Sequence, residues 1–391
     1  MRKPTLCIVL FTIAILLAAP AVAENEAEPV TQEELIAEIE RQAGELELSE
    51  WQSYFEEMGD IGIKRFGSVA GLILSYAERG SAASPGSIWD SALGMLKEAL
   101  AGSMGMIAAV TAAAVVTCAA GILPLGGVRS AAGTALGILT VLMISGLLAS
   151  LGSTASACVK KTAGFTEACL PVMTVLLSAV GATATAGVMQ PLMLFLAGTM
   201  TGFIEKVIIP LILVGGVVCV LDCLDESGRL ASLFRLIKKT VSWLMGLAAV
   251  LYFGVCAVQG LTVSAADGIS VRTAKYAIDK LLPSTGGFIG GSADTFMSCA
   301  LLVKNGAGAA SVAILIGVIA KPLLAIGTGA FVFRAAAALA GPAASPQVIK
   351  MLGGAADIAG LLFGAAAVAG FMFVITVLVF TAAGGASAGL W

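Results

Sequence analysis

Along most of this chain the apolar positions do not alternate with polar ones; they run together. A helix needs about 20 mostly apolar residues to cross the ~30 Å hydrocarbon core of a bilayer. Runs of that kind lie at 104–123, 132–152, 168–187, 241–263, 309–333 and 358–383. A further stretch, 190–223, is too long for one crossing and short for two, and it carries Glu205-Lys206 near its middle. Reading it as two short crossings predicts eight spans, or seven with a re-entrant pair. The expected fold class is all-α, a polytopic helical membrane protein.

Three stretches break the apolar pattern. At the N-terminus, Arg2 and Lys3 precede an apolar run at 6–19 and the small-x-small site Ala21-Val22-Ala23. That is the three-part pattern of a cleaved signal peptide, and it places residue 24 onward outside the cytosol. Residues 32–58 then read as an amphipathic helix, opened by Thr31 and the acidic Glu33 and Glu34, which suit a first turn. Leu35, Ile36, Ile39, Ala43, Leu46 and Leu48 form its apolar stripe, with Trp51, Tyr54 and Phe55 beyond. A second amphipathic stretch covers 66–76, Ser84-Pro85-Gly86 marks a turn, and 88–100 leads into the membrane.

The third break is 264–308. Val271, Ala274, Ile278 and Leu281 recur at helical spacing opposite Arg272, Lys275, Asp279 and Lys280. Pro283, Gly286 and Gly287 end that helix. Phe296, Ala300 and Val303 mark a second apolar face opposite Asp294 and Thr295. Gly287-Phe288-Ile289-Gly290-Gly291 reads as the turn between two helices that lie in the interface or dip into the membrane. The expected organisation is a signal peptide at 1–23 and an acidic extracytoplasmic helical segment at 24–100. A first transmembrane group at 101–263, the amphipathic insert at 264–308 and C-terminal transmembrane helices at 309–391 follow.

Composition sharpens this. The chain is 58% hydrophobic and 12% charged, against roughly 25% charged in a soluble domain. Three G-x-x-x-G pairs, Gly133/Gly137, Gly198/Gly202 and Gly360/Gly364, read as helix-contact faces. Charge is unevenly spread: 24–100 holds 16 acidic and 5 basic residues, 101–391 holds 9 and 15. The acidic segment reads as a solvated helix pair, or as a docking surface for partner domains outside the membrane. With eight spans, Arg129, Arg229, Arg235, Lys238, Lys239, Arg334 and Lys350 face the cytosol. Lys160, Lys161, Lys206, Arg272, Lys275, Lys280 and Lys304 then face outside. A single crossing at 190–223 leaves more cations outside, so the positive-inside rule favours two.

There is no histidine, which removes the commonest general base and transition-metal ligand. There is no C-x-x-C pair, no phosphate-binding glycine loop and no carboxylate pair placed for acid–base work. The chain is expected not to be an enzyme, with no catalytic residue, metal, cofactor or nucleic-acid partner. The cysteines lie mostly in apolar runs and read as small buried hydrophobes. Candidate functional positions are therefore charges at membrane depth. Lys321-Pro322 sits at the centre of 309–333, where a lysine costs about 2.5–3.5 kcal/mol and a proline removes a backbone donor. The pair reads as a broken helix lining a polar cavity, as in secondary transporters, or as a shifted span with Lys321 near an interface. Glu205-Lys206 reads as a compact loop at the outer face, or as a buried ion pair.

The segment from Lys275 through Pro283, with Gly287, Asp294-Thr295, Lys304-Asn305 and Gly308, resembles the stage III sporulation protein AE family of endospore-forming bacteria. The order of signal peptide, acidic segment, spans, insert and final spans agrees with that family. Ser284-Thr285 stands where the family pattern is more apolar. The resemblance implies a protein of the mother-cell membrane that surrounds the forespore. It implies membership of a multiprotein, secretion-like channel complex that supports late forespore gene expression, acting as scaffold or as part of its conducting path. The implied partners are other stage III sporulation proteins and the lipid bilayer, with homo-oligomers as a further expectation. The family has no established catalytic residues to carry over. The alternative reading is a stand-alone secondary transporter for a small solute.

Overall fold

Five helical rods of alternating direction carry the architecture among the described residues. The computed structural model describes 48–57, 67–79, 128–224, 229–281, 286–340 and 346–383, with residues 41, 46, 94, 97, 110 and 112 as isolated positions. The expected signal peptide and nearly all of the 104–123 run lie outside the described residues. Two short helices come first, α1 (Ser49–Glu57) and α2 (Val69–Arg79). The rods are α3 (Val128–Ala179), then α4 (Thr183–Phe203) continued through a π-turn (Ile204–Ile208) into α5 (Ile209–Leu224), then α6 (Leu230–Leu281), α7 (Gly286–Ala340) and α8 (Pro346–Ala382). No strand occurs among the described residues.

The direction of each rod follows from who touches whom. On α3 and α5, Lys160 meets Glu205 and Gly152 meets Leu213, so one number falls as the other rises and the rods are antiparallel. Arg334 meets Asp357 and Ile319 meets Gly370, so α7 and α8 are antiparallel too. Lys238 meets Asp357 and Tyr252 bonds Thr376, so α6 and α8 run the same way. Short connections force this up-and-down order. The first is visible in detail. Gly181 takes φ 84°, its N–H bonds Ser178 O at 3.0 Å, and the next N–H, from Ala182, reaches Leu177 O at 3.2 Å. This is a Schellman end, which needs a residue that tolerates the left-handed region.

Five helices are long and apolar enough to cross a membrane: Ile138–Ala179, Thr183–Asp222, Leu230–Gln259, Cys299–Ala340 and Gln347–Ala382. The runs at 241–263, 309–333 and 358–383 fall inside α6, α7 and α8 as expected. The other runs are divided differently from the hydropathy pattern. The 132–152 run and the first half of 168–187 are one uninterrupted helix, and 190–223 is one helical rod with a π-turn. The cause is that Lys160 and Lys161, which read as a loop, are good helix formers whose charges find partners in space. Lys161 pairs with Glu57 and Lys160 with Glu205. The rods greatly exceed the ~20 residues of a simple crossing; the 52 residues of α3 amount to ~78 Å.

The insert is also built differently. Its first helix is the end of α6, and Gly287 to Gly291, expected as the turn, lie within the first turns of α7. Residues 282–285 between α6 and α7, Pro283 among them, lie outside the described residues. A helix that must satisfy its own backbone in an apolar medium tolerates glycine where a coil would leave polar groups bare.

Packing centres on α8, which touches α3, α5, α6 and α7. Ala355, Ala356, Ala359, Ala365, Ala366 and Ala369 are all buried, and such small side chains let backbones approach. Of the expected pairs, Gly364 meets Met245 at 3.5 Å, and the surroundings of Gly133 and Gly137 lie outside the described residues. Gly198, Gly202 and Gly360 face open space. Gly152 lies under Leu213, Gly329 under Leu151, Gly370 under Ile319, and Gly354 under Cys219. Cys158, Cys169, Cys219, Cys256 and Cys299 are buried, as expected of cysteines in apolar runs. Because a Cβ at 354 collides with Cys219, Gly354→Val is expected to cost about 1–3 kcal/mol through overpacking. Gly198→Val is expected to leave stability almost unchanged. Thermal unfolding in detergent checks the contrast.

Candidate functional site

Five ion pairs of the bundle fall in two layers. Along the rod of α4 and α5, Lys206 of the π-turn and Asp222 of α5 are the bounding charges of an uncharged run at 207–221; the 16 helical steps between them span ~24 Å. Around Asp222 lies one layer. Its carboxylate, with a side chain only 4% exposed, meets Lys350 at 2.7 Å. Asp357 receives Lys238 at 2.5 Å and Arg334 at 3.2 Å. Four rods, α5, α6, α7 and α8, are tied at this level. A buried carboxylate without such partners would be very costly, so these pairs fix which rods adjoin.

Around Lys206 lies the other layer. Glu205 pairs with Lys160 at 3.3 Å, and Glu57 of α1 with Lys161. The expected compact loop at Glu205-Lys206 is absent, and the two residues do not pair with each other: they lie in the π-turn, with Lys206 exposed. Pro210 supplies the reason. It has no N–H to return to the Lys206 carbonyl, and the widened turn closes instead through Ile209 N–H to Ile204 O. π-turns of this kind accommodate one extra residue and re-aim side chains; here Glu205 turns toward α3.

The acidic segment docks on this second layer through aromatic side chains. Trp51 is fully buried, and its indole N–H donates to Ala168 O at 3.1 Å. Pro171, inside α3, disturbs the helical bonding of carbonyls three and four residues before it, so this region of α3 welcomes an outside donor. Phe165 joins three elements, with ring centroids 5.0 Å from Tyr54, 5.9 Å from Trp51 and 5.3 Å from Phe373. Burial pushes the Tyr54 phenol above its usual pKa, and Glu50, Glu57 and Glu167 add to the shift while Lys161 opposes it. The sequence pattern marked Trp51 and Tyr54 as apolar stripe; it held no signal that Phe165 and Pro171 would receive them.

Lys321 and Pro322 do not break α7. The helix runs through Pro322, Lys321 is exposed, and the broken helix that motivated the transporter reading is absent. Lys304 carries the larger surprise. It is fully buried, and its ammonium donates to the carbonyls of Thr381, at 3.0 Å, and Ala383. These are among the last carbonyls of α8, which have no helical donor of their own, and a cation suits that end of the helix dipole. Gly308, one turn along α7, leaves room for the Thr381 methyl. Asn305 is exposed beside them, and Gly287 and Asp294 sit near the start of α7, far along the rod. The structure therefore joins Lys304 and Gly308 in one clamp and leaves Glu205, Lys321 and Asp294 apart from it.

These features define an all-α polytopic membrane protein whose rods are pinned by ion pairs and by a buried lysine. The stage III sporulation protein AE family matches residues 90–384, and the chain belongs to that family. It is a sporulation family and not a known enzyme family. Stage III sporulation protein AE of Bacillus subtilis (strain 168) is 28% identical over 230 residues, which make up 59% of this chain and 58% of that protein. The match thus spans less than two thirds of that relative. No solved structure matches the chain.

Two outcomes test the packing of these layers. Lys304→Met keeps the stem but strands two buried carbonyls; it is expected to cost about 1–3 kcal/mol and to speed amide exchange at the C-terminal end of α8 more than elsewhere. Trp51→Ala removes the anchor of α1 and is expected to weaken its attachment by about 3–5 kcal/mol. Exchange over Ser49–Glu57 should then rise while α8 stays protected.

Proposed function

We propose that the chain is an integral subunit of the channel complex that joins mother cell and forespore, acting as its membrane scaffold or as part of its conducting path. Family membership over 90–384 is the observation that carries the reading. Pinned, long helices suit a scaffold, since ion pairs at two levels resist sliding between rods. In this reading the acidic segment lies outside the cytosol, in the space between the two cells' membranes. The Lys160–Glu205 layer is then the outer one. The layer with Arg235, Lys238, Lys239, Arg334 and Lys350 is then cytosolic. The partners are other stage III sporulation proteins, met through the acidic segment and the spans.

Deletion in the native host is expected to arrest sporulation after engulfment, with loss of late forespore gene expression from a reporter; normal spores would overturn the proposal. Orientation has its own test. A cysteine at Ser53 should react with a membrane-impermeant maleimide in intact cells, and one at Lys350 only after lysis. The reverse pattern would invert the bundle and remove the acidic segment from the intercellular side.

A further inference from the structure

A trench runs between α3 and α5 with a volume of about 430 Å³, within the roughly 300–1,000 Å³ usual for small-ligand sites. Ser145, Ala149, Gly152, Ser153 and Ser156 line it from α3, and Leu213, Gly216 and Val217 are among the residues that line it from α5. Its α3 wall from Ser145 to Ser156 makes 11 helical steps, about 16 Å. From Glu205 to Val220 the facing wall makes 15 helical steps, about 22 Å, so the trench runs along most of the distance between the two charge layers. One end of the trench reaches Glu205, at the charge layer where Lys160 is 64% exposed and Lys206 is exposed. The hydroxyl of Ser153 is turned back to Ser150 O at 2.8 Å, and the lining as a whole is mostly apolar.

We propose that this trench holds one acyl chain of an anionic phospholipid, with its phosphate between Lys160 and Lys206. The inference rests on the bilayer lying between the two charge layers. Three observations select a lipid tail. The trench runs lengthwise between two rods, its volume is far below that of a whole helix, and its outer end lies at the charge layer, where Glu205 lines it, Lys160 pairs with Glu205 and Lys206 is the next residue along the rod. Basic positions at helix junctions recognise anionic headgroups in this way. Glu205 holds Lys160 in place at the mouth while Lys206 stays open to the phosphate.

The full chain, reconstituted in vesicles of phosphatidylethanolamine and phosphatidylglycerol, tests this with a phosphatidylglycerol carrying a photoreactive group in mid-chain. Cross-links mapped by mass spectrometry are expected at 145–156 and 209–220, above the level at the lipid-facing surface around Trp243, which is 65% exposed. Ala149→Phe, which fills the exposed trench wall, should abolish the trench labelling and leave the Trp243 surface labelled. Lys160→Gln and Lys206→Gln should each lower it about fivefold, and a phosphatidylcholine probe should label the trench weakly. Trench labelling equal to that at Trp243, or unchanged by Ala149→Phe, would overturn the lipid site. So would disulfide-linked dimers through Ser153→Cys, which would assign the trench to a second copy. Absence of label at both places would overturn the bilayer placement itself.

Discussion

A helix in lipid must satisfy its own backbone, because no water is present to do so, and each unmet group costs several kcal/mol. The rods of this protein follow from that constraint. It explains why α3 runs on through Lys160 and Lys161, and why α7 runs through Lys321 and Pro322. It also explains what happens where the ladder is interrupted. Pro210 is met by a π-turn. Near Pro171 an indole from another helix reaches a main-chain carbonyl. At the end of α8 a buried ammonium takes the last carbonyls. Along the rods, Thr162, Thr166, Thr174 and Thr201 each bond the carbonyl four residues back, which hides a hydroxyl without a partner helix.

Charge is the second organising term, and it depends on the first. Once the rods are continuous, each charged side chain has a fixed height. Those that cannot reach water meet an opposite charge at the same height or, like Lys304, the free carbonyls of a helix end. Asp222 with Lys350, and Asp357 with Lys238 and Arg334, do so at one level. Lys160 with Glu205, and Lys161 with Glu57, do so at the other. The ~24 Å between the levels along the rod of α4 and α5 is a little under the hydrocarbon thickness of a bilayer. A sporulation membrane protein that carries an acidic segment therefore gains a defined place for it, since Glu57 and Trp51 attach α1 to the level of Lys161 and Phe165.

Much of this was legible in the residues. Apolar runs and sparse charge determined an all-α membrane protein, because composition alone excludes a soluble surface. The Lys304-Asn305 and Gly308 pattern carried the family resemblance. The tertiary structure decided the rest. Whether Lys160-Lys161 ends a span depends on Glu57 and Glu205, which lie 104 and 45 residues away in the chain. Whether a glycine is a contact depends on the neighbour it meets: Gly198 and Gly202 have the spacing and meet nothing, while Gly354 lacks it and meets Cys219. Lys304 reads in sequence as a cation on the extracytoplasmic side; the fold buries it, because the end of another helix supplies the acceptors that its charge needs. Periodicity and hydropathy are local properties and survive in the sequence. The pairing of charges and the filling of backbone vacancies are properties of distant residues, and only the folded bundle sets them.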